Sequence, residues 1–162
     1  MEEFPSTGYQ VTVDHTGRAS AVTAGTAGAT NDKTIVRYDP SFDRVKTHKA
    51  YTQMEYTLVG SERREFTEKG SYLIVDSGYH QWRCLVFPLK SALTVAELKW
   101  SKHLESVRKD VECFFGRLKG RFRILKMPLM FWVSSANSRE KIDNKLFACC
   151  ILQTVLLAYD GW

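Results

Sequence analysis

Two carboxylates in this sequence stand where the local pattern could give them chemistry. Asp76 closes the run Ser71-Tyr72-Leu73-Ile74-Val75 and is followed by Ser77-Gly78-Tyr79. A short, continuous apolar run of this kind reads as a strand buried on both faces, at home in a mixed or parallel sheet under helices. In open α/β sheets the carboxyl ends of strands open onto the ligand crevice, so an acid there can hold a metal or a substrate. A turn or cap aspartate satisfies the same position and is the commoner case on position alone. Glu112 falls in the stretch 95–119, where Leu104, Val107, Val111, Phe115 and Leu118 recur at spacings of three and four. That periodicity predicts a helix with one apolar stripe. At about 100° per residue, Glu105, Arg108, Glu112 and Lys119 share one flank of the stripe. An acid on that flank can reach past a sheet edge while its cationic neighbours meet phosphate. The plainer alternative is an exposed Arg108–Glu112 pair one turn apart, worth about 0.3–0.5 kcal/mol.

Charge points the same way. The chain of 162 residues has a net charge of +5, and the surplus is local. Between Lys99 and Lys126 there are nine Lys and Arg against three acids, Glu105, Asp110 and Glu112. Such a stripe is an electrostatic footprint suited to phosphate, although a solvated helix face has the same composition.

Several other chemistries are disfavoured. His15, His48, His80 and His103 are scattered without metal-ligand spacing and read as surface or packing residues. Trp82, Trp100 and Trp132 read as core or rim aromatics. The Gly25–Gly28 stretch lacks the lysine and spacing of a phosphate loop. Ser77 lies in Asp-Ser-Gly-Tyr rather than in a nucleophile elbow, so a serine hydrolase is not indicated. The four cysteines form no CxxC pair, and adjacent Cys149 and Cys150 read as small buried hydrophobes in a reducing, intracellular setting. No run of 18 apolar residues is present, so no membrane span is expected. Nor does the start MEEFPSTGY resemble a secretory signal.

The elements that must position these residues follow from local pattern. Residues 9–24 predict a hairpin turning at His15-Thr16-Gly17-Arg18. Asn31 or Asp32 can cap a short helix beginning near Lys33. Residues 40–69 are polar, with a weak strand or helix signal over Tyr51–Val59. Residues 71–76 predict the strand ending in Asp76, and Cys84–Phe87 predicts another that stops at Pro88. Gly116 and Gly120 suggest a frayed end to the 95–119 helix. A polar break containing Ser134, Ser135, Asn137 and Ser138 leads to a last helix over 139–159.

Four segments together resemble the PIF/Harbinger-type transposases of the DDE superfamily. Asp76-Ser77-Gly78-Tyr79 and the block from Ser106 to Arg123, SVRKDVECFFGRLKGRFR, are similar to the two C-terminal signatures of that family. Gly28-Ala29-Thr30-Asn31-Asp32-Lys33 and Ala148-Cys149-Cys150-Ile151-Leu152 are similar to two more, in the same order and spacing. The VExxFGxLK block is the most specific of them, and Gln153-Thr154 departs from the family's His-Asn.

The resemblance implies an α/β, ribonuclease H-like fold, with a mixed sheet and flanking helices, over residues 1–162. It implies that Asp76 and Glu112 are the second and third catalytic carboxylates and metal ligands, with Asp32 as an accessory acid. Hard oxygen ligands of this kind select Mg²⁺ or Mn²⁺. Arg108, Lys119, Arg121 and Arg123 are then expected to hold the DNA backbone without reading its sequence. In the family the first catalytic aspartate lies on a strand ahead of the hairpin. This chain, beginning at Met1, is therefore expected to be an N-terminally truncated domain lacking that ligand, with Asp14 and Asp32 as the nearest acids. The family's helix-turn-helix region is also not in this sequence, so a separate DNA-binding protein or self-association is an expected partnership alongside DNA itself. A nuclear location is implied. Three readings follow: a DDE endonuclease that cuts little or nothing as this chain alone, a non-catalytic nucleic-acid- or protein-binding remnant using residues 99–126, or a fragment that does not fold cooperatively.

Overall fold

The computed structural model of the chain describes residues 6–60, 62–126 and 136–160. Two compact units are present, one made of residues 1–30 and 106–162 and the other of residues 31–105. The class is α/β, as the sequence indicates.

The first unit begins with four short strands, β1 (Thr7–Gly8), β2 (Val11–Val13), β3 (Ala19–Val22) and β4 (Thr26–Ala27). β2 and β3 form an antiparallel hairpin with a bulge between Thr12 and Val13, and β1 pairs antiparallel with β4. Asp14 makes the hairpin turn. Its Oδ1 accepts from Thr16 N, Thr16 Oγ1 and Arg18 N at 2.9, 2.6 and 3.0 Å, the Asx-type closure that Asp favours. Gly17 completes the turn at φ +79°, a conformation that disfavours any residue with a Cβ.

Against this hairpin pack the later part of α4 (Val95–Arg121) and α5 (Ala136–Tyr159). Phe114, Leu118, Leu146, Cys149 and Cys150 are the buried centre, with Val11, Val13, Ala19 and Val22 of the hairpin against them. A 3₁₀ turn over Arg123–Lys126 follows α4. On α5 the buried residues Asp143, Leu146, Cys150, Gln153 and Leu157 recur at spacings of three and four, one stripe of a helix. By length and composition Arg139–Tyr159 is apolar enough to cross a membrane, which the run-length criterion did not register. A third of that stretch is buried, and the buried stripe carries Asp143, which is tied to Tyr9, so one face of α5 packs within this unit.

The second unit holds α1 (Asp32–Tyr38), α2 (Pro40–Thr47), α3 (Lys49–Thr52), β5 (Glu55–Val59), β6 (Glu65–Lys69), β7 (Leu73–Ile74) and β8 (Leu85–Val86). Asn31 rather than Asp32 caps α1, accepting from Lys33 N at 2.9 Å. Asp39 caps α2 through Ser41 N at 2.8 Å, with Pro40 at the first helical position. The ambiguous stretch before Val59 resolves into the short helix α3 and then β5, which pairs antiparallel with β6 along its whole length. β7 and β8 pair in parallel, Leu73 opposite Leu85 and Ile74 opposite Val86. Val36, Phe42, Val75 and Leu85 form the buried centre here.

The strands of the described residues are grouped in four two-stranded sheets, three antiparallel and one parallel. Each of β1, β4, β7 and β8 is only two residues long, which gives too little ladder for lateral growth. The strand expected over 71–76 shrinks to Leu73–Ile74, although Val75 N still donates to Val86 O at 2.9 Å.

The helix α4 starts with a capping box. Glu97 N donates to Thr94 Oγ1 at 3.2 Å, and Glu97 Oε2 accepts from Thr94 N and Leu93 N at 3.0 and 2.7 Å. Those backbone donors hold the Glu97 carboxyl below its ordinary range. Neither Gly116 nor Gly120 ends the helix, which runs on to Arg121. A glycine costs only about 1 kcal/mol against alanine, and burial of Phe114 and Leu118 outweighs that. Phe114, completely buried, replaces the expected Val107, which is exposed. At the C-terminal end, Asn137 and Ser138 fall inside α5, while Trp132, Ser134 and Ser135 lie outside the described residues.

Candidate active site

Asp76 directly follows the β7–Val75 segment, half-buried, in a tight turn. Gly78 N donates to Asp76 Oδ1 at 2.7 Å, and Tyr79 N approaches the Asp76 carbonyl at 3.4 Å. A Cβ at Gly78 would stand 2.8 Å from the same Oδ1. The glycine therefore lets the backbone fold onto the acid and orient it. Asp32 is the first residue of α1 and is exposed, where a negative charge suits the helix N-terminus. Both belong to the second unit.

Glu112 belongs to the first unit and is exposed on α4. Arg108, one turn earlier, is half-buried, while Glu105 and Lys119 on the same flank are exposed. Arg121 is engaged rather than open: its Nη2 meets Asp160 Oδ2 at 2.6 Å, and both side chains are about a third exposed. Arg123 opens the 3₁₀ turn and is exposed.

Carboxylates are hard donors, so the chemistry of Asp76, Glu112 and Asp32 fits a divalent ion such as Mg²⁺ or Mn²⁺. Among the described residues no group of three or more His, Cys, Asp and Glu lies close enough together to hold one ion. Asp14 has a structural task instead. Partial burial pushes its carboxyl up, but hydrogen bonds from the Thr16 hydroxyl and the Arg18 and Thr16 backbone outweigh this and hold it below its ordinary range.

Three arrangements had no local signal. Arg117, a member of the basic stripe, lies against the hairpin turn: a Cβ at Gly17 would meet its Nη2 at 2.5 Å, and its buried Nε has no partner among the described residues. Asp143 on α5 accepts from the Tyr9 hydroxyl at 2.7 Å and from Gly25 N at 3.2 Å. Partners separated by 134 and 118 residues leave no trace in any sequence window. His80, read as an isolated histidine, is stacked on Trp82 with ring centroids 5.1 Å apart.

A family model described as DDE superfamily endonuclease matches residues 3–153, a span that includes Asp32, Asp76 and Glu112. This chain belongs to that family. No curated protein and no solved structure matches it at a significant level. DDE superfamily endonucleases generally use divalent metals, and a transposase-like nuclease domain implies a DNA substrate. In this DDE domain the basic stripe over α4 and the following 3₁₀ turn is divided. Lys119 and Arg123 face solvent, Arg121 is paired, and Arg117 is packed under the hairpin.

Proposed function

We propose that the chain is part of a PIF/Harbinger-type transposase nuclease domain, with Asp76 and Glu112 as metal ligands and Asp32 as an accessory acid. The family match over residues 3–153, which spans both signature blocks, is the observation that supports this most. Asp76 and Glu112 would hold divalent ions, and the chemistry such ions would supply when bound is activation of a water or 3′-hydroxyl for in-line displacement at phosphorus. Asp76, oriented by the Gly78 amide, and Glu112 supply negative charge for the ions. Arg108, Lys119, Arg121 and Arg123 supply positive charge for the DNA backbone, with Arg121 exchanging Asp160 for phosphate. A nuclear location accompanies this reading.

A second reading is a non-catalytic remnant that binds nucleic acid or a protein through the basic 99–126 segment, favoured by its nine Lys and Arg against three acids. A nuclease assay with Mg²⁺ or Mn²⁺, with and without Glu112→Gln, separates the two. Cutting that disappears in the variant supports the nuclease. Salt-sensitive DNA binding that survives the substitution, with no cutting in either protein, supports the remnant.

A further inference from the structure

The loop that carries Asp76 continues into His80-Gln81-Trp82, and these rings join two helices through their cations. Lys46 of α2 places its Nζ 4.1 Å from the centroid of the Trp82 ring. Trp82 and His80 stack with 18° between their planes. Arg37 of α1 donates from Nε to His80 Nε2 at 3.1 Å. The same nitrogen lies 3.2 Å from the Lys33 carbonyl, a contact that becomes a hydrogen bond only in the other tautomer. All of these residues belong to the second unit. The result is a row of two stacked rings with a cation at each end: Arg37, His80, Trp82, Lys46.

Three features make this row more than a charged surface. Its base is anchored, because Trp82 packs against the buried cluster of Val36, Phe42, Val75 and Leu85. Both cations remain exposed although their positions are held by rings. Among the described residues neither Arg37 nor Lys46 pairs with a carboxylate. Asp39, the acid nearest Arg37 in sequence, is buried and committed to the α2 cap. Long side chains normally lose rotamer freedom when they grip an anion, and here part of that ordering already exists in the free protein. An arginine with only Nε engaged keeps other donors in a fork that matches phosphate oxygens. Because Trp82 is already faced by His80 and Lys46, the row suits phosphates rather than an inserted base.

We propose that the Arg37–His80–Trp82–Lys46 row is a DNA phosphodiester site, distinct from the basic stripe of α4, that holds the backbone beside the Asp76 turn. This rests on the nuclease-family reading of the substrate as DNA. His80 and Trp82 act as positioning residues for the two cations. The contacts do not read base sequence.

The test is duplex binding by the full chain, measured by fluorescence anisotropy in EDTA across a salt series, so that no metal site contributes. Each phosphate contact adds about 0.9 to the slope of log K against log salt. Arg37→Gln and Lys46→Gln are each expected to lower the slope by about 0.9. At 0.1 M salt each is expected to weaken binding on the order of eightfold. Lys46→Arg is expected to keep both slope and affinity, and cooperative melting verifies that each variant folds. If Arg37→Gln and Lys46→Gln bind with the wild-type slope while Lys119→Gln loses about 0.9, the row is not a phosphate site and the DNA-binding reading survives. If the wild-type chain shows no salt-dependent DNA binding, both fall together.

Discussion

The bond between Tyr9 and Asp143 is where the N-terminal strands of the first unit are fastened to α5, and Tyr9→Phe tests its worth. The phenol gives a 2.7 Å hydrogen bond to a carboxylate in a residue only 8% exposed. A hydrogen bond to a charged acceptor contributes about 1.5–3 kcal/mol, and the ring's packing stays with phenylalanine. For a chain of this size that is a fall in Tm of about 3–12 °C. The bond also has a pH signature. Burial foremost, then the hydrogen bond to Asp143 and its negative charge, push the Tyr9 phenol far above its ordinary range, with Arg139 opposing. A phenol raised in the folded state stabilises fully below the unfolded value of about 10 and loses that contribution as pH climbs toward the folded value. Above pH 10 the unfolded chain releases this proton and the folded chain keeps it. Wild-type stability should therefore fall by about 1.4 kcal/mol per pH unit more steeply than that of Tyr9→Phe. Urea unfolding followed by circular dichroism at pH 7 and from pH 10 to 12 measures both effects. A double-mutant cycle with Asp143→Ala should return a coupling above about 1 kcal/mol. A Tyr9→Phe protein within about 0.5 kcal/mol of wild type at pH 7, with an unchanged alkaline slope, would refute the argument.

Two further outcomes follow from the same unit. Gln153 is fully buried on α5, and among the described residues neither amide atom has a partner; an unpartnered buried amide costs about 1–3 kcal/mol. Gln153→Met, similar in volume, should therefore raise the urea midpoint, and a lower midpoint would mean that the amide is used. Gly17→Ala should cost about 1–2 kcal/mol, because a Cβ at φ +79° is strained and would press on Arg117 Nη2. An unchanged melting temperature for that variant counts against the positive-φ turn.

The cysteines carry a related lesson about context. Burial pushes the Cys150 thiol up to about 11, with Cys149 beside it adding in the same direction, so the pair is packed as hydrophobe rather than as nucleophile. That much is readable from two adjacent cysteines inside an apolar segment. What could not be read is that α5 also buries Asp143 and Gln153 on the same stripe, one satisfied by Tyr9 and Gly25 and the other without a partner among the described residues.

The candidate site divides along similar lines. Helix starts and turns are written locally: Thr94 and Glu97 reciprocate within one turn, Asn31 reaches Lys33, and Asp14 closes on Thr16 and Arg18. Their partners lie within four residues, so residue type alone nearly specifies the geometry. The family match over residues 3–153 is equally a property of residue order.

Tertiary structure decided which members of those patterns are available. Arg117 looked like its neighbours in the stripe, yet the hairpin turn covers it, and Arg121 is claimed by Asp160. His80 looked solitary, yet folding sets it between Arg37 and Trp82. Periodicity reports which face of a helix is apolar. Which partner covers that face, and which polar groups are caught beneath it, depends on elements brought together from more than a hundred residues away.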